Sequence, residues 1–225
     1  MTLVRRATAE LLGTAFLVAA VVGSGIAAQR LSPGDTGLQL LENSIATGAV
    51  LVALILALQP VSASFNPVVT LVELALKRVT TTDALVLVAA QVAGGALGSV
   101  VANLMFDLDA VGISTHHRRG EGPLIGEVVA TVGLVVVVFG SLRSARIETV
   151  AIAVGGYIAA AYWFTSSTSF ANPAVTLART LTDTFAGIAP SSVPVFVLMQ
   201  LIGGALGAGL VLLLHPESHP EIQEA

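Results

Sequence analysis

The pentapeptide Asn66-Pro67-Val68-Val69-Thr70 recurs in the second half of the chain as Asn172-Pro173-Ala174-Val175-Thr176. Proline suits the first turn of a helix because it fixes φ and lacks an N–H group that is not needed there, and asparagine is a favoured N-cap. Each copy therefore predicts the start of a helix. The apolar run that follows is only about two or three turns long, which is too short to cross a bilayer.

The composition is that of a membrane protein. Of the 225 residues, 55% are hydrophobic and 11% charged, and the mean hydropathy is +0.89, whereas a soluble domain has about 25% charged residues. No basic cluster indicates nucleic-acid binding, and the absence of cysteine excludes disulfides and thiolate metal sites. We expect no metal, no cofactor and no nucleic-acid partner, with the lipid bilayer as the surroundings.

Six apolar segments are long enough to span a membrane. They are Ala7–Ala28, Leu41–Val61, Asp83–Met105, Leu124–Leu142, Glu148–Phe164 and Val193–Leu214. The two Asn-Pro segments follow the second and the fifth of these spans. Because irregular backbone inside a membrane must be buried in protein or line a wet cavity, each is predicted to be a re-entrant half-helix.

Positive charges predict the orientation. Most of them, including Arg5, Arg6, Lys77 and Arg78, fall on one side of the six-span arrangement, and fewer fall on the other. Positive loops favour the cytoplasm, so both termini are predicted to lie there in a multi-pass protein of the cell membrane. The two half-helices then enter from opposite faces.

The two halves of the chain repeat. Glu10 and Glu127 open the first span of each half, and Gln91-Val-Ala-Gly-Gly-Ala-Leu-Gly matches Gln200-Leu-Ile-Gly-Gly-Ala-Leu-Gly. Because each half has three spans, the second is inverted relative to the first. The sequence predicts one channel domain, 1–225, with halves of about 1–110 and 120–214 and an acidic cytoplasmic tail, 215–225. Both glutamates are expected to support the re-entrant loops rather than to couple protons.

The half-helix N-termini are predicted to meet near the bilayer centre. Aligned peptide dipoles make each N-terminus positive, and the amides of Asn66 and Asn172 lie there as donors. The residues before each motif are expected to be extended, so that their carbonyl groups form a row of acceptors. Such a path suits small neutral solutes, because a cation meets an unfavourable field at its centre.

The paired Asn-Pro motifs, the two glutamates and the Gln-x-x-Gly-Gly repeats resemble the aquaporin, or major intrinsic protein, family over nearly the whole chain. The resemblance implies an all-α membrane protein of six spans and two half-helices. It also implies a homotetramer with a pore in every protomer, passive flux of water or small neutral solutes, and proton exclusion at the asparagine pair.

One departure from the family pattern concerns the outer selectivity filter. The usual arginine after the second Asn-Pro-Ala is Val175, and counting back from the motifs gives Ala46 or Thr47, Ala160 and Ser169 as the other filter positions. These residues are small, so a wide filter without a fixed cation is expected. The pattern resembles bacterial aquaglyceroporins associated with arsenite, which favours Thr47 over Ala46 and suggests glycerol-like polyols, neutral arsenite and water as solutes.

Several residues allow two interpretations. Arg179 lies four residues after Val175, on the same helical face, and either replaces the missing filter arginine or is an ordinary charge at a helix C-terminus. Tyr162 and Trp163 are interpreted as anchors at the membrane interface, with the alternative that one of them shapes the vestibule. The run His116-His117-Arg118-Arg119 is interpreted as an exposed loop rather than as a metal or anion site.

A coupled secondary transporter and a membrane-embedded enzyme are the two other classes of protein to compare with a channel. A coupled secondary transporter is the alternative, although it needs an ion site at the midplane, where only Asn, Ser and Thr occur. An enzyme is not expected, because no catalytic set of residues lies within a span.

Overall fold

The computed structural model describes residues 1–144 and 146–215, in which the chain forms eight α-helices and no strand. The side chains of residues 144 and 147 and the predicted tail beyond His215 lie outside this description. The helices are α1 (Leu3–Leu31), α2 (Thr36–Leu58), α3 (Pro67–Ala75), α4 (Thr81–Met105), α5 (Glu121–Ser141), α6 (Ile147–Phe164), α7 (Pro173–Ala178) and α8 (Val193–Leu214).

The six predicted spans correspond to α1, α2, α4, α5, α6 and α8, and the Asn-Pro segments to α3 and α7. Five helical segments are long and apolar enough to cross a membrane, and the apolar stretch Glu148–Phe164 of α6 is shorter. With 18 residues, α6 is about 27 Å long, close to the thickness of the hydrocarbon core. The all-α fold with two half-helices is confirmed.

The inverted repeat is visible in the packing. Helix α1 packs against α2 and α4, and α5 packs against α6 and α8 in the same way. The halves meet through α2 with α6, α4 with α7, α3 with α8, and α3 with α7. We call the end of the bundle at which α1 begins and α8 ends the terminal face, and the other end the loop face.

Glycines of the repeated Gln-x-x-Gly-Gly segments allow close helix packing within each half. A Cβ atom at Gly94 of α4 would lie 2.2 Å from the carbonyl oxygen of Leu11, and one at Gly203 of α8 would lie 2.8 Å from that of Val128. The glycines four residues later make similar approaches. The glycines spaced four apart therefore form small-xxx-small faces, which make the contacts between α1 and α4 and between α5 and α8.

Two segments without α-helix, 106–120 and 182–192, form the surface of the loop face. They pair through backbone hydrogen bonds such as that from the N–H of Ala189 to the carbonyl oxygen of His116 at 2.7 Å. Asp183 accepts hydrogen bonds from the backbone N–H of Thr115 at 2.8 Å and from its hydroxyl at 3.0 Å. The backbone hydrogen bond is the main reason why the pKa of Asp183 lies below its usual value.

Candidate functional site: a cavity between two capped half-helices

Both motif asparagines cap the half-helices that follow them. The Oδ1 of Asn66 accepts from the backbone N–H of Val68 at 2.9 Å, and that of Asn172 accepts from Ala174 at 3.0 Å and Val175 at 3.2 Å. The side-chain oxygens thereby satisfy N–H groups that have no partner within the helix. The helix starts predicted from the two Asn-Pro motifs are therefore capped by the asparagine side chains.

The same two side chains join the half-helices across the centre. The Nδ2 of Asn66 donates to the carbonyl oxygen of Ala171 at 2.7 Å, and the Nδ2 of Asn172 donates to that of Phe65 at 2.7 Å. Each amide nitrogen carries two N–H groups, and these hydrogen bonds use one of them. Because both side chains line the same cavity, the second N–H is available to a solute.

The backbone before each motif differs from the extended run that the sequence predicted. Asn66 and Asn172 are extended, with φ of -154° and -155°, as expected for a residue before proline. However, Phe65 and Ala171 have a φ of 47°, in the left-handed region. This conformation costs about 1 kcal/mol or more for each residue. It directs the carbonyl oxygen of each residue towards the side-chain amide of the asparagine in the other motif, which donates to it.

Glu10 fixes the first of these loops. One carboxylate oxygen accepts from the Ser62 hydroxyl at 2.5 Å and the backbone N–H of Ser64 at 2.8 Å. The other accepts from the N–H of Phe65 at 2.7 Å and from Gln91 at 2.8 Å. Glu10 is completely buried, so these four hydrogen bonds satisfy both of its carboxyl oxygens and hold the strained loop in place.

Glu127 fixes the second loop in the same manner. Its carboxylate accepts from the backbone N–H groups of Phe170 and Ala171, both at 2.9 Å, and from Gln200 at 2.5 Å. Gln200 also donates to the hydroxyl of Thr176 at 2.8 Å. These contacts are the ones that a supporting role requires, and they hold the left-handed backbone in place.

A cavity of about 250 Å³ passes the paired asparagines. Its wall is largely apolar and comes from α1, α2, α5 and α6. Those apolar residues are Leu17, Val21, Leu51, Ile55, Leu134, Val138, Val150, Val154 and Ile158. Polar groups come from the loops before the motifs and from the two ends, with Arg6 and Glu73 towards the terminal face and Thr47 and Arg179 towards the loop face.

Comparison with known proteins agrees with this architecture. The family model described as "Major intrinsic protein" matches residues 1–147 and 128–224. The chain belongs to the major intrinsic protein family. It is therefore a membrane channel and not an enzyme.

Two relatives illustrate this membership. The chain is 48% identical to the aquaglyceroporin AqpS of Rhizobium meliloti (strain 1021) over 223 residues, which cover 99% of the chain and 95% of the relative. The X-ray structure of the aquaglyceroporin from Plasmodium falciparum matches with a TM-score of 0.71 at 18% identity. That match covers 96% of this chain and 97% of the other, and it shows the shared fold.

In this major intrinsic protein, one of the two candidate residues on α2 lines the cavity. Thr47 is buried and lies in the wall, whereas Ala46 does not. The hydroxyl of Thr47 lies 3.2 Å from the hydroxyl of Tyr162 on α6. Ser169 also lines the cavity, and its buried hydroxyl has no hydrogen-bond partner among the described residues. Val175 lies in the same wall.

The residue that α6 contributes is not the one predicted. Ala160 is exposed and lies outside the cavity wall, whereas Tyr162 is buried and lines it. Two residues along a helix are separated by about 200° around its axis, so Ala160 and Tyr162 lie on nearly opposite faces of α6. A signal was present in the sequence, because Val150, Val154, Ile158 and Tyr162 are spaced four apart, as one face of a helix requires.

Arg179 supplies a fixed cation that the small filter residues did not lead us to expect. Its side chain is buried, lines the cavity and donates from Nε to the carbonyl oxygen of Ala186. The guanidinium carbon lies 3.5 Å from the centroid of the Phe170 ring, a cation–π distance. The cavity wall therefore contains a cation, and its position is compatible with the first of the two interpretations of Arg179, a substitute for the missing filter arginine.

Arg118 was also missed by the sequence interpretation. Its guanidinium carbon lies 4.8 Å from the same Phe170 ring, and its Nε donates to the carbonyl oxygen of Gly187 at 3.1 Å. Arg118 is half-buried rather than fully exposed. Phe170 thus contacts two arginines, and Arg118 joins the loop-face segment 106–120 to the second re-entrant loop.

The remaining motif residues serve packing. Pro67, Val68, Pro173 and Ala174 are buried and lie outside the cavity wall. A Cβ atom at Gly204 of α8 would lie 2.5 Å from Cγ1 of Val68. No group of three or more His, Cys, Asp or Glu residues in the described ranges is placed to hold a metal ion.

Proposed function

We propose that this channel conducts glycerol-like polyols, water and neutral metalloid hydroxides such as arsenite, passively and in both directions. The observation that carries the proposal is the cavity that passes two donor asparagines between apolar walls. An uncharged solute with several hydroxyl groups finds donors and acceptors there, and carbon atoms or a metalloid centre meet the apolar side. The name of the 48% identical relative, an aquaglyceroporin, supports the polyol.

We propose that the selectivity filter consists of Thr47, Tyr162, Ser169, Val175 and Arg179. The hydrogen-bond distance between Thr47 and Tyr162 supports a common level on α2 and α6. Arg179, from the end of α7, takes the place of the arginine that the family usually has at the position of Val175. This filter is narrower than one built from small residues alone.

The assembly and orientation are also part of the proposal. The whole chain, 1–225, forms one channel domain, the channel is a homotetramer of the cell membrane, and both termini face the cytoplasm. The terminal face carries Arg5, Arg6, Lys77 and Arg78, as the positive-inside rule requires. Crosslinking of the purified protein in native lipid, with the size of the largest product as the readout, tests the tetramer.

Stopped-flow measurements on proteoliposomes that contain the full chain test the solute class. We expect glycerol and arsenite flux that follows the solute gradient and is unchanged when a proton or sodium gradient is imposed. Flux that depends on either ion gradient would contradict a passive channel and would favour the coupled secondary transporter.

Val175→Arg tests the proposed filter. We expect glycerol permeability to fall about tenfold, equivalent to a barrier increase of about 1.4 kcal/mol, because a second long cationic side chain enters the wall beside Arg179. Water permeability should be retained. Val175→Leu, which adds one carbon without charge, is the matched control and should have the smaller effect. Unchanged glycerol and arsenite flux in a folded Val175→Arg channel would remove Val175 from the filter.

A further inference from the structure

The two half-helices carry opposite charges at equivalent positions. Glu73 lies seven residues after Asn66, and Arg179 lies seven residues after Asn172. Both side chains line the cavity. Because the halves are inverted, Glu73 lies towards the terminal face and Arg179 towards the loop face. The proposed filter thus has a negatively charged counterpart at the other end of the path.

The Glu73 carboxylate is held by one oxygen and leaves the other unused. Its Oε2 accepts from the hydroxyl of Ser64 at 3.0 Å, and the backbone N–H of Ser64 donates to Glu10 at 2.8 Å. The side chain is therefore anchored to the supported loop. Its Oε1 has no hydrogen-bond partner among the residues that the structure describes, and it is not enclosed by protein.

The surroundings of Glu73 offer both donors and acceptors. Arg6 lines the same end of the cavity, and its Nη1 donates to Asp83 at 2.9 Å, which fixes the guanidinium at the mouth. Gln59 and Ser62 belong to the same wall. A solute with hydroxyl groups can therefore exchange its hydration for protein hydrogen bonds before it reaches the asparagines.

We propose that Glu73 is a second specificity-determining residue, which accepts hydrogen bonds from neutral polyhydroxylated solutes at the terminal mouth. A carboxylate is a stronger hydrogen-bond acceptor than an amide or a backbone carbonyl. It therefore offsets part of the free energy that a solute larger than water loses when it gives up its hydration. The inference rests on the proposed function for the solute class and adds a residue to it.

Glu73→Leu and Glu73→Gln in the full chain test this proposal, with the glycerol-to-water permeability ratio of proteoliposomes as the readout. Leu removes the acceptor at similar size, and we expect the ratio to fall roughly three- to tenfold, in the range of the net loss of one typical hydrogen bond. Gln keeps one neutral acceptor and should give an intermediate ratio. Glu148→Gln, an exposed residue of α6 outside the cavity wall, is the matched control and should leave the ratio unchanged.

Three outcomes overturn the inference. A ratio that is unchanged or raised in Glu73→Leu, with water permeability retained, would show that the carboxylate does not assist polyols. If Glu73→Leu does not fold, an unchanged ratio in Glu73→Gln overturns the inference equally. Wild-type proteoliposomes that pass water but no glycerol would overturn the proposed function, and with it this role of Glu73.

Discussion

The two re-entrant loops share their support and differ in their charge. In each, a buried glutamate accepts two backbone N–H groups and one glutamine amide, and that glutamine also donates to the motif threonine. Seven residues after the motif asparagine, however, one half carries Glu73 and the other Arg179. The duplicated contacts hold the backbone in place, whereas the two residues that differ line the cavity.

The difference indicates which substitutions affect folding and which affect selectivity. Changes at the duplicated residues are expected to destabilise the channel whatever the solute. Changes at the residues that differ are expected to alter flux in a stable channel.

Replacement of Glu10 or Glu127 by Gln is expected to have the largest effect on stability. Glutamine has one acceptor oxygen, so an N–H group of the strained loop loses its partner, and such a buried group costs about 1 to 3 kcal/mol. Glu10 accepts four hydrogen bonds and Glu127 three, so Glu10→Gln should be the more destabilised. The apparent melting temperature in detergent measures both.

The matched control is Glu121→Gln, at an exposed position on the loop face, which should shift the melting temperature little. A melting temperature of Glu10→Gln equal to that of the wild type would show that the first loop does not depend on its carboxylate.

The packing behind the two motifs gives a smaller difference. A Cβ atom at Gly204 would lie 2.5 Å from Val68, whereas one at Gly95 would lie 3.1 Å from the Cβ of Ala178. Overpacking of this kind costs about 1 to 3 kcal/mol, so Gly204→Ala should be more destabilising than Gly95→Ala. Val68→Ala should restore part of the loss, as a double-mutant cycle of melting temperatures would measure.

Equal melting temperatures for the two glycine variants, or additive effects of Gly204→Ala and Val68→Ala, would contradict the contact. In that case Val68, the larger third residue of the first motif, would be accommodated in some other way than by Gly204.

Much of the scaffold could be predicted because it is duplicated in the sequence. Glu10 and Glu127 stand at equivalent places in the two halves, and so do Gln91 and Gln200, which pointed to a shared structural task. The Asn-Pro pairs located the helix starts, since the residue types of a cap are few.

The filter was harder to predict because it depends on the path of an irregular loop. Counting back from Asn172 assumes a fixed path between α6 and α7, but residues 165–172 turn through left-handed φ values at Thr168, Ser169 and Ala171. The count was therefore wrong by two residues: it selected Ala160, which lies outside the cavity wall, instead of Tyr162, which lines it. The side chain of Arg179 is held at the cavity by its contacts with the Phe170 ring and with the carbonyl oxygen of Ala186. The spacing of residues in the sequence does not reveal such contacts.

The glycerol-to-water permeability ratio of Arg179→Leu tests most directly whether selectivity lies in the residues that differ between the halves. We expect the ratio to rise about threefold, a barrier change of less than 1 kcal/mol, because the filter loses a long buried side chain. Arg119→Leu, an exposed neighbour on the loop face, should leave it unchanged. A ratio for Arg179→Leu that stays at the wild-type value in a folded channel would contradict the account.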